Sequence, residues 1–183
     1  TSWMVGETLS AGIGQGYFLA TAAQLSLALA QLVNGGKKID PYIVYRNKIS
    51  PENDKINLAS KRHIKIVKKA LNDATNAING TSYGSRITGK YKMGGKTGTS
   101  QVRVISSKER EDGIIKNKDL PWEMRDHGLF IGYGPVENPK YSISVIVEHG
   151  GSGSGSAAPI ASKIMKYIFK NKINLKKKNL TNV

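Results

Sequence analysis

Residues 21–34 carry apolar side chains on almost every side of a helix, at Leu25, Leu27, Ala28, Leu29, Leu32 and Val33. Thr21 followed three residues later by Gln24 makes a capping box, and Gly35 takes the position where a helix stops. A helix of this kind is expected inside a core. The glycine-rich GIGQG of residues 12–16 reads as a tight turn feeding it. A different pattern runs over residues 60–79, where Ile64, Val67, Leu71, Ala74 and Ile78 fall three or four apart and paint one stripe. The opposite face is basic, and Gly80 is the stop signal. A last helix is predicted over about 157–169, with Ile160, Ala161, Ile164, Met165 and Ile168 as its stripe. It is entered from GGSGSGS at 150–156, read as a native loop although it resembles an engineered linker.

The remaining apolar segments have the period of strands. Residues 94–105 hold Thr97, Thr99, Val102, Val104 and Ile105, all β-branched. Two further strands are expected at 128–133 and 141–148, the second alternating Tyr141, Ile143, Val145 and Val147 on one face. GPVENPK between them has the residues of a hairpin connection. A short strand is expected at 41–45, and the charged stretch 106–126 reads as a surface excursion. Three consecutive strands are most economically joined as an antiparallel β-sheet covered by helices, so the expected fold class is α+β. Residues 1–170 are expected to form one folded portion, and 171–183 a basic, disordered tail.

Composition adjusts this picture in three places. A chain of 183 residues with 39% hydrophobic content is long enough for one domain with a core. It has no cysteine, which excludes disulfides and thiolate chemistry. The net charge of +15 raises nucleic acid as a partner, but no aromatic residue interleaves with the lysines of 61–69, so the stacking platform of a single-strand binder is missing. The charge is read as a solvated, compositionally biased surface, with no nucleic-acid partner expected; an anionic lipid surface or acidic polymer stays open. His63 lies near the start of a helix with no second ligand spaced to join it, and no metal or cofactor is expected.

Chemistry is concentrated in MGGKTGTSQV, residues 93–102. A phosphate loop needs G-x-x-x-x-G-K-[ST] followed by a helix. Gly89 and Gly94 have the right separation, but Gly95 then stands where the lysine should be, and a strand follows instead of a helix. The dinucleotide fingerprint fails likewise in GIGQG, whose third glycine would have to replace Tyr17. Lys96, Thr97 and Thr99 are therefore placed along a strand edge, with Gly98 and Gly95 leaving it unobstructed.

K-T-G is one of three motifs of penicillin-binding proteins and serine β-lactamases. With GIGQGYFLATAAQLSLALAQLVNGG before it, and RDHGLFIGYGP and VIVEHGGSGSGSAAPIASKIM after it, the chain resembles the C-terminal half of a penicillin-binding transpeptidase domain. The likeness is to class B enzymes, specifically the elongation type called penicillin-binding protein 2, and covers about residues 1–170. Ala22 stands where that family usually has proline. S-x-x-K and S-x-N are absent, and Tyr45-Arg46-Asn47, a Y-x-N tripeptide, follows the apolar helix where the family's middle motif precedes it. The nucleophilic serine is therefore expected upstream of Thr1.

The resemblance implies a peptidoglycan D,D-transpeptidase acting through an acyl-serine and inhibited by β-lactams. It casts Lys96 and Thr99 as catalytic, and Thr97, Gly98 and Thr99 as binding the D-Ala-D-Ala end of a stem peptide or a β-lactam. It further implies a membrane-anchored parent with this region in the periplasm, and a cell-shape glycosyltransferase as partner. His127, in RDHGLF, is a candidate for the cleft wall, though a structural or solvated role is favoured for it because no carboxylate partner is identifiable; His149 completes the set of histidines. The competing readings are a serine β-lactamase or β-lactam sensor domain, and a basic nucleic-acid-binding module.

Overall fold

The computed structural model describes residues 3–16, 18–44 and 60–171. Its centre is an antiparallel sheet of β1 (Gly94–Ser100), β2 (His127–Gly134) and β3 (Tyr141–Val147), in the order β1-β2-β3. β1 opens with Gly94 opposite Tyr133 and closes with Ser100 opposite His127, and β2 runs from Gly128 opposite Val147 to Gly134 opposite Tyr141. The predicted hairpin connection is present, closed by the Lys140 N–H donating to the Gly134 carbonyl at 3.0 Å.

Helices cover both faces. On one lie α2 (Ala22–Val33), against β2 and β3, and α3 (Lys61–Asn76), against β1. On the other lies α5 (Ala158–Asn171), entered through a π-helical turn at Gly153–Ala157. Period-two alternation along β2 divides the core between them. Tyr133 and Ile131 meet Leu29, Val33 and Leu71 of α2 and α3. Phe130 points the other way, into Met93, Ala158, Ala161 and Met165, and Ile143, Val145 and Val147 of β3 pack on that same side. Phe130, Tyr133 and Met165 are fully buried, and each such side chain contributes about 1.5–3 kcal/mol.

The capping box of α2 forms as expected, with the Gln24 N–H donating to Thr21 Oγ1 and the Thr21 N–H donating to Gln24 Oε1. Ala22 is the first helical residue, a position where proline is also tolerated. The sheet covers α2 on one side, where Leu29 and Val33 are buried; its other face, expected inside a core, is not covered among the described residues. α3 stops at Asn76, short of the expected 79. Ala77 turns extended, and the Ser82 N–H returns to the Ala74 carbonyl at 3.0 Å, so Ile78 leaves the stripe and lies exposed.

Three further expectations need correction. Residues 41–44 are described without a strand, and Tyr45-Arg46-Asn47 lies outside the described residues, as does the tail beyond 171. β1 ends at Ser100, not 105, because beyond it the Asp126 carboxylate, in place of a ladder partner, accepts the Val102 N–H. The excursion 106–126 contains α4 (Ser107–Asp112) and two 3₁₀ turns, Asn117–Asp119 and Trp122–Met124. A short helix that was not predicted, α1 (Val5–Gly12), precedes the glycine turn at Gly14 and Gly16, both with positive φ.

Candidate active site

Sheet order places Lys96, Thr97, Gly98 and Thr99 together on β1, an edge strand. Alternate N–H and C=O groups of such a strand point away from the ladder and are free to pair with an added chain. Lys96 and Thr99 are exposed, whereas Thr97 and Gly98 are half-buried. The register adds a distinction: Lys96 lies opposite Ile131, on the α2 and α3 face, while Thr97 and Thr99 lie opposite Phe130 and Gly128, on the α5 face. The ammonium and the two hydroxyls therefore reach the margin from opposite sides. Lys96 Nζ donates to the Thr97 carbonyl at 2.6 Å, and Thr97 Oγ1 donates to Thr81 Oγ1 at 3.2 Å.

The glycines of the motif have separate tasks. Gly95 is buried and does not shape the margin: a Cβ there would stand 2.3 Å from Phe130 Cζ, and one at Gly94 would stand 2.9 Å from Tyr133 Cε1. A Cβ on Gly98 would meet only Leu129 Cβ, at 3.3 Å. The close approach that the sequence assigns to Gly98 comes from Gly153 in the π-helical turn, where a Cβ would lie 2.5 Å from the Gly98 carbonyl oxygen. GGSGSGS is thus a fitted part of the fold beside the motif.

The exit of β1 continues into a hollow of about 300 Å³ lined by Gln101, Val102, Arg103, Val104, Ile105 and Arg110. Arg103 holds Glu109 in a fork, both nitrogen–oxygen distances being 2.6 Å. The hydrogen bond from Arg103 holds the Glu109 carboxyl below the usual carboxylate range, and the same bond raises Arg103. A larger cavity of about 610 Å³, floored by Tyr91, Tyr141 and Phe169, opens at the other end of the sheet, away from Thr99.

His127 does not stand free in the cleft wall. Its Nδ1 accepts the His149 N–H at 2.9 Å, His149 Nδ1 bonds the Arg125 carbonyl at 3.0 Å, and the His149 ring meets His127 edge-on and Trp122 at a tilt. Both rings are structural in these contacts. His63 sits at the start of α3, its N–H capped by Ser60, and among the described residues no group of metal ligands forms. Sequence reasoning passed over Asp126 and Asn117. They lie nine residues apart in an irregular stretch, where no period marks a pair.

The model of the penicillin binding protein transpeptidase domain matches residues 1–166. The chain belongs to that transpeptidase family. Among curated relatives, the peptidoglycan D,D-transpeptidase MrdA of Salmonella typhimurium is 36% identical over 177 residues, covering 92% of this chain and 28% of its own length. MrdA of Haemophilus influenzae is likewise 36% identical, covering 93% and 27%. The fold matches a complex between a penicillin-binding protein (PBP2) and MreC from Helicobacter pylori, with a TM-score of 0.75, 32% identity, and coverage of 93% of this chain and 29% of that one. It also matches Pseudomonas aeruginosa PBP2 in complex with WCK 5153, with a TM-score of 0.70, 33% identity, and coverage of 91% and 34%. The chain thus spans under a third of the curated relatives it matches. The alternatives of a β-lactamase, a sensor domain or a nucleic-acid module are not favoured by these matches.

Proposed function

We propose that this chain is the C-terminal part of a peptidoglycan D,D-transpeptidase of the elongation type and supplies the electrostatic side of its active site. The observation that carries this reading is the exposed margin of β1, where Lys96, Thr97 and Thr99 stand within four residues with no strand beyond them among the described residues. In the reaction, a serine upstream of this chain attacks the carbonyl of the penultimate D-alanine. The terminal D-alanine leaves as the free amino acid, taking a proton on its nitrogen. An amine of a neighbouring stem then displaces the serine oxygen and forms the cross-link.

The stem peptide lies along β1 as an added strand. Its terminal carboxylate takes hydroxyl bonds from Thr97 and Thr99 on one side and the Lys96 charge from the other. The Thr99 N–H serves as one oxyanion donor opposite the nucleophile's own amide, and loss of such a donor costs about 3 kcal/mol of barrier. β-Lactams occupy the same margin and stop at the acyl stage. Lys96, which lies on the α2 and α3 face, is proposed also to hold or move a proton near the serine.

The parent is proposed to be anchored in the inner membrane with this region in the periplasm, to serve cell elongation, and to act beside a cell-shape glycosyltransferase. The similar protein solved in complex with MreC supports a partner protein for the parent. Fluorescent penicillin tests the reading directly. The full-length parent is expected to be labelled covalently at a serine upstream of residue 1, and this chain alone to remain unlabelled. Labelling of the isolated 183 residues would show that the nucleophile has been misplaced.

A further inference from the structure

β1 leaves its ladder at Ser100, opposite His127, so the next pair in register would be Gln101 with Asp126. That pair does not form. Instead the Asp126 side chain takes over, its Oδ1 accepting the Val102 N–H at 3.3 Å while Oδ2 accepts from Asn117 Nδ2 at 2.9 Å. Asn117 answers with its own oxygen, Oδ1, which accepts the Asp126 N–H at 2.8 Å. The Asp126 carbonyl accepts the Gly151 N–H, also at 2.8 Å. One residue thus ties three segments that are far apart in sequence: the exit of β1, the 3₁₀ turn at Asn117, and the glycine-rich turn whose Gly153 rests on Gly98.

We propose that Asp126, with Asn117, is a positioning residue for the reactive margin: the pair clamps the chain three residues past Thr99 and so sets the direction of the Thr99 amide. This rests on the transpeptidase reading given above. Bonded to Val102, Asn117 and Gly151 at once, Asp126 holds the departing strand where an ordinary loop would let it swing. The last pairs of a sheet edge otherwise open first. A donor that must meet an oxyanion at hydrogen-bond distance loses most of its effect when displaced, and an error of about 1 Å at a reacting centre costs up to about 10²-fold in rate. Asp126 touches neither the motif side chains nor the margin, so its effect is exerted through the backbone of residues 99–102.

The chemistry of the pair provides its own control. In Asp126→Asn alone, the side chain keeps one acceptor oxygen where two were used, so one of the bonds to Val102 and Asn117 is lost whichever way the two amides turn. Adding Asn117→Asp exchanges the partners. Oδ1 of the new carboxylate again accepts the backbone N–H of residue 126, its second oxygen accepts from the new amide, and the amide oxygen accepts from Val102.

The experiment uses the full-length parent and measures penicillin acylation, separating the dissociation constant from the acylation rate constant. Melting and amide exchange of the peptide covering residues 99–103 are measured in parallel. Asp126→Asn is expected to lower the acylation rate constant about tenfold, with the dissociation constant changed less than about twofold, and to speed exchange in that peptide. The double exchange is expected to restore both. An unchanged rate constant and unchanged exchange in Asp126→Asn would overturn the proposal, as would a rate loss that the double exchange leaves in place. Failure of the wild-type parent to react with penicillin at all would instead overturn the transpeptidase reading, and the catalytic role of the pair with it.

Discussion

Gly153 lies directly against the backbone of Gly98. A Cβ on Gly153 would stand 2.1 Å from the Leu129 carbonyl oxygen and 2.5 Å from that of Gly98. The π-helical turn leading into α5 is therefore pressed onto the sheet beneath the K-T-G segment, with no room for a methyl group between them. Gly153→Ala is expected to cost about 1–3 kcal/mol, as overpacking of a close-packed contact does. Thermal melting of the full-length parent checks this, with Gly84→Ala as control, since a Cβ at Gly84 meets nothing within 4 Å. Equal melting of the two variants would contradict the contact.

Lys96 is exposed, and among the described residues its ammonium bonds only the neighbouring Thr97 carbonyl. Lys96→Ala is thus expected to leave melting within about 0.5 kcal/mol while lowering penicillin acylation of the parent by about 10²-fold or more. Thr97→Val keeps shape but removes the hydroxyl that now reaches Thr81, and is expected to weaken initial penicillin binding more than the chemical step. Stopped-flow acylation resolves the two terms. A purely structural β1 would show neither effect.

The orientation of α5 is tested by neighbours on its surface. Met165 is fully buried against Phe130, whereas Ile164 is 43% exposed. Met165→Ala is expected to cost about 2–5 kcal/mol in denaturant unfolding. Ile164→Ala should cost less than about 1 kcal/mol. Reversal of that order would mean that the helix is rotated about its axis.

Burial raises the phenol of Tyr133 above its ordinary value of 10.0, and the nearby Glu137 carboxylate pushes it the same way. The folded phenol keeps its proton over a range where the unfolded one has lost it. The contribution of this buried group is therefore complete below about pH 10 and declines as pH rises towards the raised folded value. Tyr133→Phe should remove that part of the alkaline loss. Melting temperatures compared on either side of pH 10, for wild type and variant, measure it.

Much of this fold is written in local patterns. The Thr21 and Gln24 capping box and the alternation of β3 each need only neighbours a few residues away, and each appears where its period places it; of the α3 stripe Leu71 is buried, but Val67 is exposed and Thr75 takes the next buried place. What the pattern misjudged depends on partners distant in the chain. Val102, Val104 and Ile105 have the β-branched character of a strand, yet the ladder stops at Ser100 because Asp126, 24 residues on, captures the Val102 N–H. Ile78 continues the apolar spacing of α3, but the chain has already turned back to bond Ala74. In the candidate site, the edge position of Lys96, Thr97 and Thr99 follows from strand order and was legible. The opposed faces of Lys96 and the two threonines needed the register, and the Asp126 and Asn117 pair needed coordinates.

The two glycines ahead of the lysine make room for aromatic rings, Gly95 for Phe130 and Gly94 for Tyr133, the one on the α5 side and the other on the α2 and α3 side. The six-residue run Gly94 to Thr99 therefore divides into two residues that seat rings and four that form the strand margin. A side chain added at either glycine evicts a ring from one hydrophobic layer and removes the platform on which the ligand-facing residues stand.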